Sequence, residues 1–265
     1  MIPELNRLIA LSPPALADVN AAARQLCAQT VRLAPLPYED VGPGDPAVTD
    51  FIEQFSADVS AVTGEQRAGF LKALGPKAFD ATALIFVADF APRVGAAFDS
   101  LGIDWSPEVS DWDRVSSPAD VVLNGFAPAV ARMHTLDPVT SEIVRLRGAR
   151  QHNCRLCNSL RDGDALDAGG TEDMYQGIDV YDTADLSDRH KAALRYVDAL
   201  IWTPAAVVGA DLLRQFTRDE AVELTLDVMR NACNKIAVAL AADAPRVEEG
   251  TERYHVGTDG RPVYS

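Results

Sequence analysis

What most constrains this chain is the recurrence of helix-start signals without any sustained alternation of polar and apolar residues. Ser12-Pro13 and Asp137-Pro138 each pair a capping side chain with a residue whose fixed φ suits a first helical turn. Thr63-Gly-Glu-Gln66 and Thr217-Arg-Asp-Glu220 have the capping-box form, in which two side chains satisfy each other's backbone N–H groups. Between these starts the apolar residues recur at helical spacing. The sequence therefore predicts an all-α fold. Helices are expected over 12–31, 47–62, 63–75, 76–101 with a kink at Pro92, 118–134, 138–151, 187–202, 205–216 and 218–242. Pro and Gly mark loops at 35–46 and 105–118.

Three units follow: an N-terminal helical lobe (1–115), a helical domain (116–245) and a C-terminal tail (246–265). In the tail, Asp259-Gly260 sits between short β-prone runs, the composition of a hairpin turn. An ungapped match of 74–98 with 216–240 sets Asp89 against Asn231 and Arg93 against Lys235. It raises the expectation of two pseudo-repeated lobes, the first without paired cysteines.

At 265 residues and 48% apolar composition there is ample material for a core. A net charge of −15 excludes a nucleic-acid partner, because phosphate binding needs a basic footprint. The sequence contains no continuous apolar run of membrane-spanning length and no basic, then apolar, leader, so a cytoplasmic protein is expected. Four cysteines in such a chain make no disulfide framework, and a pair spaced C-x-x-C in a reducing compartment points to redox chemistry or metal binding.

That pair, Cys154 and Cys157, lies in "HNCRLCNSLR". Asn153 is placed to cap a helix carrying Cys154 in its first turn, where unpaired N–H groups favour a thiolate. Arg155 and Arg161 act in the same sense. Three-residue spacing lets the sulfurs close into a disulfide. Glu142 stands twelve residues before Cys154, about 18 Å away in one straight helix. A reversal at residues 151–153 would instead fold it back beside Arg161 and towards Cys157. Zinc would need two further ligands, and His152 and Cys233 are the nearest candidates. Cys27 and Cys233 otherwise read as small core residues, and His134, His190 and His255 carry no readable signal.

The spacing of Glu142, Cys154, Cys157 and Arg161 resembles the E-x11-C-x2-C-x3-H pattern of the carboxymuconolactone decarboxylase superfamily, in its AhpD-like alkylhydroperoxidase branch. Residues 130–242 carry the resemblance. It implies a helical bundle, commonly trimeric or hexameric, with no cofactor or metal. One cysteine attacks a small hydroperoxide, the other resolves the product, a thiol or dithiol returns the electrons, and the Glu and His carry protons. This chain has Arg161 in place of that His, and arginine keeps its proton at any working pH. Arg161 is then expected to pair with Glu142 and stabilise a thiolate, while His152 shuttles protons. The catalytic set is Cys154, Cys157, Glu142, Arg161 and His152. Two other functions remain open: a lyase acting on a lactone or β-keto acid, and a non-catalytic metal-binding or assembly module.

Overall fold

The computed structural model describes residues 2–39 and 44–265. The first half contains α1 (Ile2–Ile9), α2 (Ala17–Val31), α3 (Pro46–Asp58), α4 (Gly64–Leu74) and the 23-residue α5 (Ala78–Ser100). Next come α6 (Pro118–Asp120) and α7 (Ala127–Ala131), joined by a π-helical turn, Val121–Phe126. The second half holds α8 (Pro138–Gln151), α9 (Arg155–Asn158), α10 (Gly163–Asp167), α11 (Glu172–Gly177) and α12 (Asp188–Trp202). It closes with α13 (Gly209–Leu212), α14 (Arg218–Ala232) and α15 (Asn234–Ala239). The fold is all-α apart from one small sheet: β1 (Leu160–Asp162), β2 (Glu252–Val256) and β3 (Pro262–Tyr264), in that order.

Local capping chemistry explains where the helices begin. Thr63 and Thr217 each make both reciprocal bonds of the capping box, and Asp137 accepts from Thr140 N. Ser12 departs from expectation. Its hydroxyl donates to Glu39, and a 3-10 turn, Pro14–Leu16, precedes α2. Asp45 caps α3, while the rest of the loop expected over 35–46 falls partly on residues 40–43, outside the described residues. The helix expected over 218–242 divides at Cys233. That expected over 205–216 shrinks to a 3-10 turn and α13. The tail does form a hairpin: β2 and β3 pair antiparallel, and Gly260 turns between them at φ 81°. This glycine lies directly against the backbone of Pro128 in α7. The tail also adds β2 parallel to β1, a strand too short to show a period in the sequence.

α2 packs on α3 and α5, much as α8 packs on α12 and α14. α3 and α12 begin 142 positions apart, at Pro46 and Asp188, which is the offset of the sequence match. The two halves nevertheless share one apolar cluster, running from Leu5 to Ala239. The helical stretch Gly64–Ser100 is long and apolar enough to cross a membrane by length and composition, but 89% of its apolar window is buried inside the molecule. α5 runs through Pro92 as the central helix.

One buried charge network ties the halves. The Asp89 carboxylate accepts from Lys235 Nζ (2.6 Å), Arg93 Nη2 (2.7 Å) and Ser56 Oγ (2.8 Å). Arg93 also donates to the carbonyls of Leu200 and Ile201 in α12. Burial opposes the charge on Asp89, but the two cations outweigh it and hold the carboxyl below its usual range. Arg93 and Lys235, aligned in the repeat, thus grip the same carboxylate. Neutralising that carboxylate leaves two buried cations uncompensated. Asp89→Asn is accordingly expected to cost about 3–5 kcal/mol of stability, read from urea unfolding. A loss under about 1 kcal/mol would show that the network carries little of the fold.

Candidate active site

α8 ends at Gln151, and the chain reverses through His152 and Asn153, whose φ of 52° is left-handed. The backbone N–H of Cys154 donates back to Ala149 O (2.8 Å) and closes the turn. The reversal ahead of the first sulfur is therefore present, with two corrections. Cys154, rather than Asn153, takes the cap position, its Sγ accepting from Cys157 N at 3.2 Å. The arm that follows is a single helical turn leading into β1, not the second rod of a helical hairpin.

Cys154 and Cys157 are joined by a disulfide across a Cα–Cα distance of 5.3 Å. Cys154 is fully buried, at 0% exposure. Cys157 is half-buried and opens into a cavity of about 180 Å³. It is lined by Arg145 of α8, Arg230 and Asn231 of α14 and Asn234 of α15, together with Tyr254 and Tyr264 of the tail ribbon. The disulfide turn is clamped from the chain beyond α15. Leu156 N donates to Asp243 O (2.9 Å), and Arg155 binds the Asp243 carboxylate through its backbone N–H (3.0 Å) and its guanidinium (2.8 Å). The tail thus covers the site, a role its composition did not announce.

Glu142 is buried, at 1% exposure, and is held by Arg145, which donates to it through Nε (2.5 Å) and Nη2 (2.7 Å). It also accepts from Asp162 N at 3.2 Å. Arg145 reaches onward to the carbonyls of Cys157 and Leu160, each at 2.9 Å. Burial works against the charge of Arg145, but Glu142 more than offsets this and raises its pKa. The same burial, with Glu142 beside it, raises the Asp162 carboxyl.

The expected Glu142–Arg161 pair does not form. Arg161 binds Glu172 through Nε (2.8 Å) and Nη2 (3.0 Å), and its Nη1 donates to the carbonyls of Asn158 and Leu160. The cause is the early end of α9: the chain enters β1 and carries Arg161 to another face. Arg145, three residues after Glu142 on the same helix, is already in reach. That spacing was the readable signal for the true partner.

His152 is buried, at 3% exposure, with its ring edge-on to Phe90 and Nδ1 hydrogen-bonded to Asn234 Oδ1 at 2.9 Å. Burial, with Lys235 adding to it, pulls its pKa down to about 3. It stays neutral through the physiological range and cannot be the expected proton shuttle. Cys27 is fully enclosed in the core, and Cys233 packs against it. Burial pushes both thiols up, Cys233 to about 12, so neither is a nucleophile near neutrality. A roomier cleft of about 470 Å³ between α12 and α13 contains neither sulfur.

No protein-family model and no solved structure matches the chain. Proteins from two strains of Mycobacterium tuberculosis, each described as uncharacterized, are 52% identical over 275 residues, covering 98% of this chain and 96% of theirs. The chain belongs to the family of these mycobacterial proteins.

His152 gives a pH test. In the fold burial holds its pKa down at about 3, against an ordinary imidazole value of about 6.5. Between these limits the unfolded chain binds more protons, so stability falls as pH drops below about 6.5, by up to about 1.4 kcal/mol per unit. His190, also lowered by burial, acts in the same direction. His152→Asn is expected to flatten the decline in urea midpoint between about pH 6.5 and 5, above the usual carboxylate range. An unchanged slope would show that the buried imidazole is not the sensitive group.

Proposed function

We propose that this protein is a thiol-dependent hydroperoxide reductase, cycling Cys154 and Cys157 between dithiol and disulfide. The observation that carries the reading is the joined pair, with one sulfur sealed from solvent and the other opening into a cavity.

The difference in exposure supports Cys157 as the attacking sulfur and Cys154 as the resolving one. The Cys157 thiolate attacks the distal oxygen of a hydroperoxide, ROOH, forming an S–O bond as the O–O bond breaks. The departing alkoxide takes a proton from solvent and leaves as ROH. The Cys154 thiol then attacks the Cys157 sulfenic acid, the S–S bond forms and water departs. The sum is dithiol plus ROOH giving disulfide, ROH and water, and two electrons from a thiol or dithiol donor restore the enzyme. The guanidinium groups of Arg145 and Arg230 line the same cavity and favour the thiolate. Glu142 acts at one remove: it holds Arg145, which holds the Cys157 carbonyl. Arg161 and His152 position the turn and the core beneath it rather than moving protons. The cycle calls for a reducing compartment such as the cytoplasm, and the resemblance extends to a trimeric or hexameric assembly.

Trypsin tests this directly, because cleavage after Arg155 separates the two cysteines into different peptides. After one equivalent of tert-butyl hydroperoxide, the reduced protein should yield peptides 151–155 and 156–161 joined by a disulfide. Cys157→Ser should abolish turnover. Cys154→Ser should stop at a sulfenic acid that dimedone traps. Two free thiols after treatment, or independent over-oxidation of each, would overturn the reading.

A further inference from the structure

The chain carries 39 acidic residues against 24 basic ones, yet among the described residues none lining the cavity beside Cys157 is an aspartate or glutamate. What lines it instead includes two arginines and two asparagines, Arg145, Arg230, Asn231 and Asn234. Arg230 spends Nε on Asp227 (2.7 Å), and its two terminal nitrogens have no acceptor among the described residues. Asn231 Nδ2 is buried and unpartnered. Asn234 also lines the cavity, with its Oδ1 paired to His152 Nδ1 at 2.9 Å. A buried donor is normally satisfied, so Asn231 Nδ2 is open to an acceptor from outside the chain. Tyr254, Val256 and Pro262 of the ribbon add apolar surface to the same cavity. A small molecule with an anionic, acceptor-rich head and a short apolar body fits this lining.

We propose that this cavity binds a small organic carboxylate, its acid group on Arg230 and Asn231 and its reactive end at Cys157 Sγ. The inference rests on the redox reading and names the substrate class for that site. Two molecules share the chemistry: a carboxylate-bearing hydroperoxide meeting the dithiol, and a carboxylate-bearing thiol meeting the disulfide. In the second case the thiolate of the donor attacks Cys157 Sγ and a mixed disulfide forms. The Cys154–Cys157 bond breaks with its electron pair leaving on Cys154, where Cys157 N–H already donates at 3.2 Å. A second thiolate of the donor then frees Cys157.

The test has a binding readout and two kinetic arms. Propionate, but not propionamide, should shift the NMR signal of the Asn231 side-chain amide in the wild-type disulfide form. In the thiol arm, 3-mercaptopropionate should reduce the disulfide at least about tenfold faster than 2-mercaptoethanol at equal thiolate concentration. In the peroxide arm, a carboxylate-bearing hydroperoxide should outpace tert-butyl hydroperoxide by a similar factor. The arm showing the preference identifies the source. Asn231→Asp should erase it by placing a like charge in the cavity. Arg230→Lys, which keeps a cation for Asp227 but loses the fork, serves if that variant fails to fold. A propionate shift with neither arm turning over leaves the carboxylate site standing and overturns the redox reading. Equal rates with charged and neutral reagents in both arms, or no shift with propionate, overturn the carboxylate site and leave the redox reading intact.

Discussion

The guanidinium of Arg145 is the interaction on which the site depends. It satisfies the buried carboxylate of Glu142 on its own helix, and through Nη1 and Nη2 it holds the carbonyls of Cys157 and Leu160 in the chain that returns. A carboxylate this deep needs its oxygens hydrogen-bonded, and a one-turn helix such as α9 has little cooperative stability of its own. The sulfurs are therefore placed by charge pairing anchored in α8, with Asp243 gripping the same turn from the opposite end. The disulfide turn is a loop held rigid from two sides.

The same logic operates at larger scale in the core. Asp89 comes from the first half, and its cations come one from each half, Arg93 and Lys235. The ungapped match places those cations at corresponding positions, and the fold brings both to one carboxylate. Shared apolar packing from Leu5 to Ala239 makes the halves one body, whatever their separate appearance in sequence.

Features fixed by neighbouring residues were legible in the sequence. The capping boxes at Thr63 and Thr217, the Asp137-Pro138 start and the Asp259-Gly260 hairpin all depend on side chains within four positions of one another. The reversal ahead of Cys154 was legible for the same reason. Features set by distant packing were not. The division at Cys233, the strand β1 and the shortness of α9 depend on contacts made by the tail and by α5. The spacing across the reversal points Glu142 to Arg161, but the returning arm is a single helical turn, and Arg145 lies three residues away on the same helix. The sequence assigns His152 the part of a proton shuttle at the turn, but the turn directs its ring inward onto Phe90.

The glycine in the ribbon's turn shows how closely the cover fits. Gly260 sits so near Pro128 that a single added carbon would collide with that backbone, and its left-handed φ suits no ordinary side chain. The ribbon is thus seated on α7 like a hinge pin in its socket, by shape rather than by adhesive contacts alone. Gly260 also lines the cavity beside Cys157, so the seating of this turn on α7 fixes one edge of the opening to that sulfur.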